Sequence, residues 1–257
     1  MKLQCELAFG SGPHRVNNRK QDFSGYNGYL TVTTSTPALN DIRLLIFDLD
    51  GTLIDSKTDL VLSVNAMREQ MGLPRLETAV VVSYVGGGVA TLIRRALAEG
   101  ASDDDMARAS TIFLDYYSRH LLDHTVPYPG VRQALDELTG RKMAVLTNKR
   151  VDFSRKILDG LGLAHHFSWV YGDTSFPEKK PNPVGVLTLM RGTGISAWQT
   201  LIVGDSDTDV LTGRNAGVRT CGVTYGLGAH TLDTASPDLI LNDLRDLRGL
   251  LSNTTMP

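Results

Sequence analysis

Residues 43–56 read RLLIFDLDGTLIDS, an apolar run that ends in two carboxylates one residue apart with a glycine straight after. Strand side chains repeat with period two, so Asp48 and Asp50 project towards the same side. A carboxylate at the end of a greasy strand is costly to bury unless something pairs with it. Three more polar stretches close or follow apolar runs: Thr147-Asn148-Lys149 after MAVL, KKPNP at 179–183, and GDSDTD at 204–209 after LIV. In parallel α/β sheets ligands bind beyond the carboxyl ends of the strands, so the four stretches could share one pocket. Asp48, Asp50 and Asp205 supply hard oxygen donors, and Mg²⁺ favours a few carboxylates together with water and phosphate. A metal-bound carboxylate can attack phosphorus as a nucleophile. A neighbouring carboxyl, pushed by like charge towards holding a proton, suits a general acid. Thr147 and the backbone N–H groups after Gly51 can grip phosphate oxygens, and a lysine supplies a compensating positive charge.

Each stretch alone has a plainer explanation. An isolated D-x-D-G is more often a turn or a calcium loop. The calcium-loop pattern fails here, because position six would be Leu53 where glycine is needed. It fails again from Asp205, with Val210 at position six and Ala216 at position twelve. Thr147 alone reads as a strand-end hydroxyl, Lys180 as a surface lysine, and Asp209 as a first-turn residue favoured by the helix dipole. Their joint occurrence, each at a strand end, is what coincidence explains poorly.

The elements that would hold these groups follow from periodicity. Residues 43–49, 143–147, 201–204, 218–223 and 238–241 are short, apolar and bounded by Asp, Gly or Asn, as buried strands are. Helical patterns at 152–160, 182–191 and 207–216 alternate with them, which predicts an α/β fold with a parallel sheet covered on both faces. The segment from Ser56 to Pro129 departs from this rhythm. Leu60, Val64, Met67 and Met71 share one helical face, and Val89, Leu92, Ile93, Ala96 and Leu97 another. A third holds Met106, Ala109, Phe113, Tyr116 and Tyr117, with Ser102 and Asp105 spaced as a capping box. A connection of this length predicts a helical cap subdomain at 56–129 over the sheet's carboxyl edge, with the α/β core at 41–55 and 130–257.

The chain of 257 residues carries 26 Lys and Arg against 28 Asp and Glu, a formal charge of −2 that gives no reason to expect nucleic acid or a membrane surface. No apolar run approaches the roughly 20 residues of a membrane span. Cys5 and Cys221 are the only cysteines, too few for a disulfide framework or a thiolate zinc cluster, and a reducing cytoplasmic setting is expected. Residues 1–40 are rich in Gly, Ser, Asn and Thr, lack periodicity and an apolar signal core, and read as a disordered extension. Oligomeric state leaves no mark in the sequence.

The four stretches resemble, in order, the four motifs of the haloacid dehalogenase-like hydrolase superfamily: DLDGTLIDS, LTNK, KKPNP and GDSDTD. The likeness runs from about residue 41 onwards. It implies a Rossmann-like parallel sheet core with the helical cap inserted after the first motif. It further implies that Asp48 is the nucleophile that becomes an aspartyl-phosphate and that Asp50 is the acid, then the base. Thr147 and Lys180 would orient the phosphoryl group, Lys180 fitting the motif better than Lys179. Mg²⁺ would be held by Asp48, the Asp50 carbonyl and Asp205, with Asp209 in support. Within the superfamily VGGGVATLIRRAL at 85–97, PYPGV at 127–131 and LTNK are most similar to phosphoglycolate phosphatases. The expected activity is therefore Mg²⁺-dependent hydrolysis of a small phosphorylated metabolite, 2-phosphoglycolate. Gly51, Asn148, Gly87 in the glycine run opening a helix, and Arg94 are the candidate substrate-binding residues. A phosphomutase or phosphosugar phosphatase on the same scaffold is the alternative. A dehalogenase would need neither Asp50 nor Asp205, and a non-catalytic phosphate sensor would be expected to have lost one of the key residues.

Overall fold

The computed structural model describes residues 39–252, so the expected extension over residues 1–40 lies, but for its last two positions, outside the described residues. The first strand, β1 (Leu44–Phe47), is buried on both faces, as a central parallel strand must be. A turn leads to β2 (Ile54–Asp55), and then come four helices: α1 (Lys57–Gln70), α2 (Thr78–Val82), α3 (Val89–Ala96) and α4 (Asp103–Arg119). The chain returns through β3 (Val126–Pro127), which pairs antiparallel with β2. The remainder alternates: α5 (Val131–Glu137), β4 (Lys142–Leu146), α6 (Val151–Gly160), β5 (Trp169–Tyr171), α7 (Val184–Thr193), β6 (Thr200–Gly204), α8 (Asp207–Ala216), β7 (Arg219–Val223), α9 (Leu232–Ala235), β8 (Leu239–Leu241) and α10 (Asp246–Ser252).

Six strands form one parallel sheet in the order β5-β4-β1-β6-β7-β8. This is the doubly wound arrangement in which the chain grows outward from a central strand in one direction and then crosses back to grow in the other. The period-two alternation sorts side chains between two apolar layers. Leu45, Phe47, Val145 and Val203 join the layer that also holds the helices between β2 and β3. Leu44, Ile46, Ala144 and Ile202 face α7 with Val186 and Leu189.

The helical faces expected in the connection after β1 are present. Leu60, Val64, Met67, Ile93, Ala109, Phe113 and Tyr117 are buried in one cluster with the sheet's Leu45 and Phe47. Helix α4 begins at a capping box in which the Ser102 hydroxyl accepts from the Asp105 backbone N–H and Asp105 accepts from the Ser102 N–H. Arg68 of α1 donates to the Ala96 and Pro74 carbonyls and so ties α1 to the end of α3. The β2–β3 ribbon and the edge strand β5 had no counterpart in the periodicity. Two-residue strands carry no period, and β5 is only three half-buried residues. Among the described residues no helix is long and apolar enough to cross a membrane.

Candidate active site

Crossing from one side of β1 to the other opens a crevice where the strand order reverses, at the carboxyl ends of β4, β1 and β6. Asp48 continues β1 by one residue, its N–H donating to the Val203 carbonyl at 2.9 Å. The chain then turns back on itself, Leu53 and Ile54 both donating to the Leu49 carbonyl and Gly51 donating to Ile54. Gly51 has φ +88°, and a Cβ there would stand 2.2 Å from Asp205 Oδ2. Glycine is what lets the β1 turn touch the end of β6.

Asp205 follows β6 and Asp209 lies in the first turn of α8. Asp205 accepts from the Gly228 N–H at 2.7 Å and from the Thr52 hydroxyl at 3.3 Å. Asp209 accepts from Ser206 as a capping box and from Lys180 Nζ at 2.6 Å. Lys180 is buried and also lies 2.8 Å from Asp48 Oδ1, whereas Lys179 is exposed beside the glycine run. The Lys180–Asp48 contact is a charge contact without hydrogen-bond alignment, and Asp48 Oδ1 is buried with no hydrogen-bond partner.

Ligand oxygens of Asp48, Asp205 and Asp209 lie within 4.8 Å of one another. Three carboxylates, Asp205 and Asp209 buried and Asp48 partly so, thus face one ammonium. Burial first, with Asp209 adding to it and Lys180 partly opposing, raises the Asp48 carboxyl above its ordinary value. Burial and then the Asp209 and Asp48 charges raise Asp205. A surplus of negative charge, with an Asp48 oxygen held only by an ammonium it shares with Asp209, is what a small divalent cation with oxygen ligands would relieve, so the donor set fits Mg²⁺.

Thr147 ends β4, buried, with its N–H on the Tyr171 carbonyl at 3.0 Å. Asp48, Asp50, Thr147, Asn148, Lys180 and Asp205 all line one cavity under the helices. Asp50 accepts from the Ser56 hydroxyl at 2.5 Å and from Lys149 Nζ at 3.0 and 3.2 Å. Asn148 commits both amide hydrogens to carbonyls, Gly86 at 2.9 Å and Lys180 at 3.1 Å, while its oxygen accepts from the Lys180 N–H. It therefore fastens the glycine run to the sheet edge. Gly86 and Gly88 line the cavity, both at positive φ, with Gly87 between them facing Thr91. Arg94 is not brought to this cavity: it is exposed on α3 and borders a separate surface hollow with Arg95 and Glu99.

Two cavity residues are joined by a contact that only the structure shows. Lys149 Nζ donates to Tyr117 Oη at 2.5 Å and lies 4.7 Å from that ring's centre, joining the end of β4 to α4. Burial pushes the Tyr117 phenol up to about 12, so it keeps its proton. Lys149 belongs to the polar stretch that closes β4 and Tyr117 to the apolar face of α4, and no spacing in the sequence links the two. A lysine closing a buried strand is the one signal that could have marked the pair.

The chain matches the family described as haloacid dehalogenase-like hydrolase over residues 45–223 and belongs to it. It is a phosphatase of that family. The phosphoglycolate phosphatase of Pseudomonas putida is 42% identical over 214 residues, covering 80% of this chain and 78% of that protein. The phosphoglycolate phosphatase of Vibrio parahaemolyticus is 39% identical, covering 80% and 95%. A crystal structure described as a predicted phosphoglycolate phosphatase from Haemophilus somnus superposes with a TM-score of 0.79 at 32% identity, covering 82% of this chain and 98% of that one.

Proposed function

We propose that this phosphatase hydrolyses a short phosphate monoester, 2-phosphoglycolate, in a Mg²⁺-dependent reaction that passes through an aspartyl-phosphate on Asp48. The observation that carries the reading is the buried Asp48 oxygen with no hydrogen-bond partner, set against Lys180 and two further carboxylates at the strand-order reversal. Asp48 attacks phosphorus while the leaving-group oxygen takes a proton from Asp50. Asp50 then accepts a proton from the water that attacks the aspartyl-phosphate, returning Asp48 and releasing phosphate. Lys180 and Thr147 hold the phosphoryl oxygens, and Lys180 also keeps Asp48 aimed. Bound by Asp48, the Asp50 carbonyl and Asp205, with Asp209 behind, Mg²⁺ would supply positive charge to the phosphoryl oxygens. Ser56 and Lys149 fix the Asp50 carboxyl, as an acid that must reach one oxygen requires. The homologous phosphoglycolate phosphatases support the choice of substrate.

Phosphate release by the purified protein, with and without Mg²⁺, tests this across 2-phosphoglycolate, a hexose 1-phosphate and other small esters. Release from 2-phosphoglycolate is expected only with the metal, and Asp48→Asn should lower it by at least about 1,000-fold while the fold stays intact. Conversion of the hexose 1-phosphate to its 6-phosphate would instead make the protein a mutase. Undiminished turnover by Asp48→Asn would assign the nucleophile elsewhere.

A further inference from the structure

Tyr117 is 2% exposed, lines the cavity, and accepts a hydrogen bond from Lys149 at 2.5 Å. An ammonium has no lone pair to offer in return. The phenol's own proton has no acceptor among the described residues. A buried donor without an acceptor costs on the order of 1–3 kcal/mol, so such a proton calls for a water or a ligand atom as its partner.

What surrounds that proton narrows the ligand. The helices' side of the cavity is otherwise apolar, with Leu60, Val85, Val89, Leu92 and Phe113. Three cations reach the cavity wall. Lys180 is held between Asp48 and Asp209, and Arg150 is paired through two nitrogens with Asp152. Lys149 remains, buried, with Asp50 as its one carboxylate partner. Lys149 bridges Asp50 to Tyr117, so the phenol lies within about two hydrogen-bond lengths, roughly 6 Å, of the carboxyl that serves the leaving-group oxygen. A leaving group protonated by Asp50 therefore has Lys149 and Tyr117 within its reach.

Resting on the phosphatase reading above, we infer that Lys149 and Tyr117 form the leaving-group subsite. They accept an acidic two-carbon tail whose carboxylate takes the Tyr117 proton and the charge of Lys149. Specificity for an anionic leaving group then comes from a residue at the end of β4 and one on α4, with Arg94 and Arg95 of α3 playing no part. A neutral tail of equal length leaves the phenol proton unsatisfied, and a cationic tail meets Lys149 with like charge.

The experiment compares 2-phosphoglycolate with 2-hydroxyethyl phosphate, which keeps the two-carbon length and replaces the carboxylate by an alcohol. The wild-type kcat/KM should favour phosphoglycolate at least tenfold. Tyr117→Phe retains the ring packed on Phe113 and Phe153 and removes only the hydroxyl. It should reduce the ratio of the two kcat/KM values about tenfold, a change that mere loosening of the fold would not produce. Lys149→Met should bring the ratio close to one. The subsite is overturned if the wild type shows no preference, or if Tyr117→Phe leaves the ratio within twofold of wild type. Either result leaves the phosphatase standing. Absence of Mg²⁺-dependent release from every ester tested would overturn the phosphatase reading and the subsite with it.

Discussion

Asp59 is a carboxylate carried into the first turn of α1, buried to 1% exposure and away from the cavity lining. It accepts from the Thr125 N–H at 2.8 Å, the Thr125 hydroxyl at 2.7 Å, the His124 N–H at 3.0 Å and His124 Nδ1 at 2.8 Å. It thereby fastens the place where the helices leave the sheet to the place where the chain comes back. Burial alone would raise its pKa, but the bonds from Thr125 and His124 outweigh it and the net shift is downward. The stabilisation is therefore complete above the ordinary value of 3.8 and is lost as pH falls through the lowered folded value. Asp59→Ala strands the Thr125 donors and should cost about 3 kcal/mol in denaturant unfolding near neutral pH. Its deficit relative to wild type should shrink below pH ~4. At this scale the sequence displays charge and spacing but not partners. Asp48, Asp50, Asp205 and Asp209 could be picked out because they close or follow an apolar run, and Lys180 because it directly precedes Pro181 in KKPNP. The Lys149–Tyr117 contact could not, because it depends on how α4 lies over β4. Arg94 illustrates the reverse. It follows the apolar stripe residue Ile93 in sequence, but on α3 it is exposed while Leu92, Ile93 and Ala96 are buried.

Elements meet tightly at the turn after β1. Gly51→Ala would drive a Cβ into the Asp205 carboxylate from a backbone at φ +88°, so either the turn or the end of β6 must move. The expected outcome is a fall in kcat/KM on the order of 100-fold and weaker Mg²⁺ dependence, with circular dichroism unchanged. Unaltered kinetics would mean that the turn and the carboxylate are not held against each other. Strands and helices with a strong period were legible to within a residue or two, α8 among them at both ends. Those that escaped were short: the five residues of α2, the seven each of α5 and α10, the four of α9, the three of β5 and the β2–β3 ribbon. Such elements are fixed by what they pack against, and their own residues hold too few repeats to announce them.

For the whole molecule, the crevice couples ligand binding to stability, because its walls come from both the sheet edge and the helices between β2 and β3. Mg²⁺ with beryllium fluoride, a mimic of phosphoryl aspartate, at about 100 times its dissociation constant should stabilise the fold by about 2.7 kcal/mol. Thermal denaturation would register this as a rise of roughly 5 °C or more. Asp48→Asn should show no rise, and an equal rise without metal would contradict the assigned donor set.

The sheet's central strand is also the earliest to be translated, and its two neighbours begin pairing only at Lys142 and Thr200. At ribosomal speed the strand waits on the order of ten seconds for its second partner. During that interval an uncovered, wholly apolar β-edge protrudes from the nascent polypeptide. Biogenesis, more than the finished enzyme's robustness, is thus where this topology is vulnerable to aggregation and most in need of chaperone shelter.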